Sequence, residues 1–321
     1  MSTTSLACLL VFAGHSALDP AGPQAARIGG LWWLMFWVCS GVFLLVMAAL
    51  AVGLVREEVP ERRRVSRVVA GAVVATAVIL FVFLFASTGT GRALASLRSG
   101  AALAPLSIEV TGHQWWWEVQ YLDPVLAQRV TTANEIHVPV GRRVRIRTVS
   151  HDVIHSFWVP NLHGKHDLIP GYDGELWLQA DRPGVYRGQC AEFCGHQHAH
   201  MAFLVIAEPP ARFAGWLDSQ RQSASPPATP LAQRGQGLFV QLQCALCHTV
   251  QGTDANGRIG PDLTHLASRR TLAAGTLPNT PGHLAGWIVD SQTLKPGNPM
   301  PATNLGSNDL EALLAFLDGL K

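Results

Sequence analysis

The sequence is poor in charge. Only 14% of its 321 residues are Asp, Glu, Lys or Arg, against a usual ~25%, while 48% are hydrophobic. A disordered or solvating chain needs the opposite balance, so that class is excluded. A net charge of +2 offers no concentrated basic face, and no nucleic-acid partner is expected. Six cysteines are too few for a disulfide scaffold of this length. Methionine is as scarce, at five residues, so the position of each sulfur carries information.

Charge is missing altogether from two long stretches. Residues 31–55 and 68–86 contain none, and each is long enough to cross the ~20-residue span of a bilayer core. They are expected to be transmembrane helices, together occupying 31–90. The connector 56–67 carries five Arg and three Glu, which places it on the cytoplasmic side and everything after residue 90 outside. Residues 1–30 form an N-terminal segment. Its apolar stretch Leu6–Ala13 is too short to span and is compatible with a processed signal, although no positive segment precedes it.

Beyond the second run the texture changes. Ser107–Val110, Glu135–Val140, Arg143–Val149, Gly174–Ala180 and Gly184–Gly188 read as short strands separated by Pro, Gly and Asp turns. Arg143, Arg145 and Arg147 alternate with Val144, Ile146 and Thr148, the period of a strand with one wet face. Residues 105–208 are therefore expected to form a β-sandwich or small barrel. Residues 209–233, rich in Ser, Pro, Ala and Gln, read as a linker that would set how often the flanking domains meet. The tail 234–321 reads as helical. Its last helix is expected to start at Ser307 or Asn308, with Glu311 completing a capping box on Asn308 and Leu310, Leu313, Leu314 and Leu317 on one face.

The sulfurs then fall into place. Beyond residue 90 there are four cysteines and two methionines, and all six sit in two motifs. In the tail, Cys244-Ala-Leu-Cys247-His248 has the spacing of covalent haem attachment: two thiols add to the vinyl groups and the adjacent His ligates iron. A zinc site would want a second Cys/His pair, and none follows. Met300 is the only methionine downstream and the natural sixth ligand, a pairing that favours electron transfer. Gly260-Pro261-Asp262-Leu263 could present a backbone carbonyl to the His248 ring.

In the β-domain, Cys190, Glu192, Cys194, His198 and Met201 lie within twelve residues. Two thiolates, an imidazole and a thioether on a β-scaffold describe a copper electron-transfer site, with zinc as the formal alternative. Two cysteines suggest two coppers, so a second imidazole is needed. His155 is the best candidate and His151 its nearest competitor, while His196 and His200 read as surface residues. Trp115, Trp116 and Trp117 stand in a row; core or interface anchoring accounts for at least two of them, and one indole could admit electrons to the copper site.

The two-helix start, GHQWWWEV (112–119), SHDVIHSFWVPNLHGKHDLIPG (150–171) and QCAEFCGHQHAHM (189–201) together resemble subunit II of cytochrome c oxidase. CALCH, GPDL and KPGNPMP extend the resemblance to the variant with a fused C-terminal cytochrome c domain. It implies a multidomain membrane protein: a two-helix transmembrane hairpin, an all-β cupredoxin-like sandwich and an all-α class I cytochrome c domain. It implies a binuclear CuA centre on His155, Cys190, Cys194, His198, Met201 and the backbone carbonyl of Glu192, whose side chain would help bind magnesium at the catalytic subunit. Trp115 would be the electron-input tryptophan, and Asp152 would lie near a docking surface. Haem c would be attached at Cys244 and Cys247 and ligated by His248 and Met300.

The implied partners are the catalytic subunit I, other oxidase subunits, a cytochrome c-type donor and membrane lipid, at a bacterial inner membrane with both metal domains on the periplasmic face. Two departures stand out. The second helix opens RRRVSRVVAGAVV rather than with acidic residues, which puts a proton-uptake role in doubt, and His15 stands near where relatives often carry a lipid-bearing cysteine. Two rivals remain: a CuA-bearing subunit of a nitric oxide reductase, and a membrane-tethered copper-delivery protein, against which the haem pentad argues.

Overall fold

A computed structural model describes residues 15–56, 61–98 and 106–321. The apolar stretch Leu6–Ala13 lies outside the described residues, as does part of the basic connector.

The two uncharged runs form helices α1 (Pro23–Val55) and α2 (Arg62–Arg98). α1 begins before its apolar run and α2 extends past its run at both ends; no proline interrupts the added turns, and Pro23 stands at the first turn of α1, where its missing N–H costs nothing. Phe43, Leu44, Leu45, Leu54, Phe81 and Phe85 are exposed along them, an arrangement that lipid rather than water satisfies. Trp32, Trp33, Phe36 and Trp37 form a ring cluster in the first half of α1, where Trp32 stacks on Phe36 at 5.2 Å. These are two helices long and apolar enough to cross a membrane.

The remainder, with residues 15–23, forms a separate compact unit. Its β-domain comprises β1 (Leu106–His113), β2 (Trp116–Leu122), β3 (Val130–Ala133), β4 (Glu135–Pro139), β5 (Val144–Ser150), β6 (His155–Trp158), β7 (His166–Leu168), β8 (Gly174–Leu178), β9 (Gly184–Cys190) and β10 (Ala202–Glu208). They build two five-stranded sheets, ordered β3-β2-β1-β5-β8 and β4-β10-β9-β6-β7, with β1/β5 and β4/β10 parallel. On β5 the expected alternation holds: Val144, Ile146 and Thr148 are buried, while Arg145 and Arg147 face out. There Arg145 pairs with Glu175 at 2.6 Å, and Arg147 pairs with Glu109 and Asp173. Between the sheets, Trp117, Phe157 and Phe203 are fully buried, with Phe203 stacked on Phe157 at 4.6 Å and edge-on to Trp117 at 5.2 Å. Gly188 leaves room for that stack, since a Cβ there would lie 2.3 Å from Phe203. The N-terminal residues join this sandwich: Ala21 donates to the Asn161 carbonyl at 2.7 Å and accepts from Asp181 N–H at 2.7 Å.

Part of the segment expected as linker folds. α3 (Pro210–Gln220) lays Phe213 and Trp216 on the sandwich, where Trp216 stacks on His137 at 3.9 Å. Phe213 and Trp216 are apolar at helical spacing within a polar, proline-rich segment, and this is what composition alone concealed. Within 209–233, residue 209 and residues 221–229 lie outside helix and strand.

The tail comprises α4 (Pro230–Gln241), a short turn of helix α5 (Cys244–Cys247), the hairpin β11 (Thr271–Leu272) and β12 (Leu277–Pro278), then α6 (Pro281–Val289), α7 (Ser291–Leu294) and α8 (Ser307–Asp318). Thr229 and Thr280 cap α4 and α6 by accepting from Ala232 and His283 N–H, each followed by Pro at the first helical position. The capping box expected on Asn308 is absent. Gly306 is the N-cap and its carbonyl receives the Asp309 and Leu310 N–H groups, so Asn308 already lies inside α8. Leu313 and Leu317 are buried with Phe239 and Phe316. α4 crosses α8 at Gly235, where a Cβ would stand 1.9 Å from the Ala312 carbonyl oxygen.

Gly235→Ala is therefore expected to cost about 1–3 kcal/mol through forced separation of α4 and α8. Gly237→Ala on the same helix meets no atom within 4 Å and should be neutral or stabilising by up to about 1 kcal/mol. Thermal unfolding of the two variants, compared with the unmodified chain, checks the contrast.

Candidate functional site

Strands β9 and β10 lie side by side, and the chain between them carries the sulfur motif. Cys190 ends β9, and its N–H donates to the Met201 carbonyl at 2.9 Å, closing the loop at its neck. His155 opens β6, the other neighbour of β9. The result is a tight cluster. Cys190 Sγ lies 3.8 Å from Cys194 Sγ, 3.9 Å from His155 Nδ1 and 3.2 Å from the Glu192 carbonyl oxygen. Cys194 Sγ lies 3.5 Å from His198 Nδ1 and 3.8 Å from Met201 Sδ. Cys190, Cys194, His155 and Met201 are all buried. His155, Cys190 and Cys194 are the one group of three or more His, Cys, Asp or Glu ligand atoms among the described residues close enough to hold a metal ion.

The competitor His151 stacks on His113 at 4.7 Å instead, and His196 and His200 are exposed. Gly112 gives His155 its place, since a Cβ there would stand 2.8 Å from the ring. The far ring nitrogen, Nε2, bonds Asp152 Oδ1 at 2.7 Å, while Asp152 Oδ2 accepts the Gln114 N–H at 2.6 Å. Asp152 therefore orients the His155 imidazole, while its side chain stays partly exposed, and a place near a docking surface is what the resemblance implies for it. Its i,i+3 spacing to His155 was the signal available in the sequence. Burial opposes charge on the His155 ring, but its bonds to Cys190 and Asp152 outweigh that and raise its pKa. The two thiols share a proton: the hydrogen bond from Cys194 lowers Cys190 and raises Cys194. This donor set fits a pair of soft cations, because two sulfurs close enough to bridge are each flanked by an imidazole.

The Glu192 side chain points elsewhere. It pairs with Lys165 Nζ at 2.9 Å, and Lys165 also bonds Asp167 at 3.2 Å.

The second motif lines a cavity of about 360 Å³, walled largely by apolar side chains, with Cys244, Cys247, His248 and Met300 at its surface. His248 Nδ1 is bonded to the Pro261 carbonyl at 2.7 Å, the acceptor suggested by the GPDL stretch. That bond leaves Nε2 as the nitrogen that would be available to a metal. Burial lowers the His248 pKa, keeping the ring neutral. Gly260 is required beneath it, since a Cβ would fall 2.6 Å from the ring. The Met300 loop is tied down by Ser291 Oγ and the Gln292 amide, which donate to the Met300 carbonyl at 2.6 and 2.7 Å. Arg269, partly buried, also lines the cavity, and its buried Nε has no hydrogen-bond partner among the described residues. Two thiols, an imidazole, a thioether and an unmatched buried guanidinium nitrogen suit a flat apolar macrocycle that carries carboxylates.

The tryptophan row is divided between the two sites. Trp117 is sandwich core, whereas Trp115 and Trp116 are half-buried and line the cavity. Trp115 Nε1 also donates to the Cys194 carbonyl at 2.9 Å, so this one side chain touches both sites.

Three outcomes follow. Asp152→Ala should weaken copper retention about 10–100-fold by freeing the His155 ring, measured by chelator competition. His155→Ala should abolish the mixed-valence copper spectrum, whereas His151→Ala should leave it intact; the reverse would exchange their roles. In the tail, Met300→Leu should leave haem covalently attached while removing the long-wavelength absorption band of methionine–iron ligation. Persistence of that band would reassign the sixth ligand.

Comparison with known proteins agrees with this division. Residues 125–208 match the family described as cytochrome c oxidase subunit II, periplasmic domain, and residues 232–321 match cytochrome c. Cytochrome c oxidase subunit 2 of Alkalihalophilus pseudofirmus is 35% identical over 317 residues, covering 95% of this chain and 91% of that protein. The subunit 2 of Bacillus sp. strain PS3 is 33% identical over 226 residues, covering 67% of this chain and 62% of that protein. Among solved structures, the periplasmic domain of cytochrome oxidase subunit II from Bradyrhizobium japonicum is 32% identical, covering 37% of this chain and 94% of that one, at a TM-score of 0.35. The chain belongs to the cytochrome c oxidase subunit II family, as a membrane-anchored β-sandwich subunit of an oxidoreductase complex with a cytochrome c domain at its C-terminal end.

Proposed function

We propose that this chain is the electron-input subunit of its oxidase, taking electrons from a cytochrome c-type donor and delivering them to the catalytic subunit that reduces oxygen to water. The observation that carries the reading is the position of Trp115: its ring lines the haem-type cavity and its indole N–H bonds the Cys194 carbonyl at 2.9 Å. One side chain thus joins the two donor sets.

When bound, haem c and the copper pair would each supply a one-electron carrier. Cys244 and Cys247 would hold the haem covalently, with His248 and Met300 as axial ligands. His155, Cys190, Cys194, His198, Met201 and the Glu192 carbonyl would hold the copper. Within the chain the task is to keep these side chains from moving as charge arrives. Burial excludes water from His155, Met201 and both thiols, and the Asp152 and Pro261 oxygens lock the two imidazole rings. Small rearrangement on gain or loss of an electron is what makes such a pair of sites fast.

The Glu192 carboxylate, exchanging Lys165 for a cation, would supply one ligand to a magnesium ion whose remaining donors come from the catalytic subunit. The uncharged faces of α1 and α2 would contact lipid and that subunit in a bacterial plasma membrane, with the sandwich and haem domain on its outer side.

Isolation of the full chain with its native partners tests the reading. The expected complex consumes oxygen with a reduced cytochrome c-type donor, and haem c and CuA are both reduced during turnover. A complex that reduces nitric oxide but not oxygen would overturn it, as would copper transfer to another protein without electron flow.

A further inference from the structure

The sandwich and the haem-type domain are hydrogen-bonded to each other, and one contact is chemically odd. Lys295, in the segment that leads to Met300, is 2% exposed. Its ammonium donates to two backbone carbonyls, Trp115 of the sandwich at 2.7 Å and Ala273 of its own domain at 3.2 Å, and among the described residues no carboxylate is a hydrogen-bond partner. Desolvation pulls its pKa down to about 7. A buried ammonium without a carboxylate is costly, and an apolar side chain of the same length would pack there without that cost. What the ammonium alone supplies is direction, a bond to a fixed point on the other domain.

That point matters because of what flanks it. Going outward from Lys295 along the chain, Asn298 and Met300 follow, and the Asn298 side chain holds the Met300 N–H at 2.9 Å and the Lys295 carbonyl at 2.7 Å. Going inward across the bond, Trp115 reaches the Cys194 carbonyl through its indole, and the neighbouring Gln114 side chain reaches the same oxygen at 2.7 Å. Next to Lys295, the Pro296 carbonyl accepts from the Gln197 amide, beside His198, at 2.7 Å. The loop bearing one iron ligand is thereby bonded to the loop bearing the copper ligands, through Lys295 and Trp115.

We infer that Lys295 is a positioning residue for electron transfer between the two sites, fixing the Trp115 backbone against the Met300 loop. The inference rests on the electron-input reading above and adds a requirement to it: the haem-type domain works from one seat on the sandwich, and Lys295 sets the register of that seat.

The test uses the full chain in its assembled oxidase, with Lys295→Met and Lys295→Arg. Both are first checked for covalent haem, the methionine–iron band and the CuA spectrum. Haem c is then photoreduced and the rate of CuA reduction is followed. Lys295→Met is expected to slow that rate by about tenfold or more, as misplacement of reacting partners does, with both spectra unchanged. Lys295→Arg, which keeps a charged donor able to reach both carbonyls, should recover most of it. An unchanged rate in Lys295→Met overturns the inference, and so does an arginine variant as slow as the methionine one, because packing would then be what matters. Should Lys295→Met lose a cofactor, Lys295→Gln, polar but too short for both carbonyls, is measured in its place and read the same way. Failure of photoreduced haem c to reduce CuA in the unmodified chain would overturn the electron-input reading instead, so the two failures are distinguishable.

Discussion

The bond from the Cys190 N–H to the Met201 carbonyl is the constraint on which the sulfur cluster and the surface facing the second domain depend. It pinches the chain between β9 and β10 so that Cys190, Cys194, His198 and Met201 converge, and the β6–β9 pairing brings His155 to the same point. The pinch also sets the outer surface of the loop. Ala202, directly after it, donates its N–H to the Ala274 carbonyl at 2.9 Å, and Gln197 within it reaches Pro296. One backbone bond therefore shapes the metal-type site and presents the surface on which the second domain sits.

Tethering and seating are different physical regimes. A flexible linker gives a domain an effective concentration and leaves its orientation to chance encounters. Here α3 takes up much of the expected linker, its Trp216 stacked on His137. Even the remaining segment is bonded on the way, Ala224 N–H donating to the Gln251 carbonyl at 2.9 Å. On the far side of the contact, Glu135 of β4 accepts the N–H groups of Arg270 and Thr271 at 2.6 and 3.1 Å. With bonds at Glu135, Ala202, Gln197 and Lys295, orientation is set by the interface and not by linker length.

The convergence of Cys190, Cys194 and Met201 was legible because cysteine and methionine are scarce here and these three fall within one short stretch of chain. The edges of the fold were legible where one face is wet, as in β5. Strands β6 and β10 carry no such alternation, since HSFW and AFLVIAE are buried on nearly every residue, and a run of that kind has no period to read. The Asn308 capping box failed because a glycine can cap a helix through its backbone alone, and side-chain spacing does not register that. Lys295 was illegible for a further reason. Its partner, the Trp115 carbonyl, is 180 residues away and is a backbone atom, which leaves no trace in residue type.

The electrostatics of the seat argue that it was not built for stability. Burial raises Glu135 to about 7, above its ordinary 4.5, and lowers Lys295 to about 7, below its ordinary 10.5. Glu135 stabilises the fold relative to its ionised form below pH 4.5, and that contribution is lost as the pH rises through 7. For Lys295 the unfolded chain holds the extra proton between 7 and 10.5, so its contribution improves as pH rises across that window and is poorest below 7. The two slopes have opposite signs and meet near neutrality, where both groups bear close to their full cost. Apolar side chains at 135 and 295 would avoid that cost, but they could not grip the backbone of the opposite domain at defined atoms. Glu135 and Lys295 thus bond defined backbone atoms of the opposite domain, a specificity of register that apolar packing alone would not give.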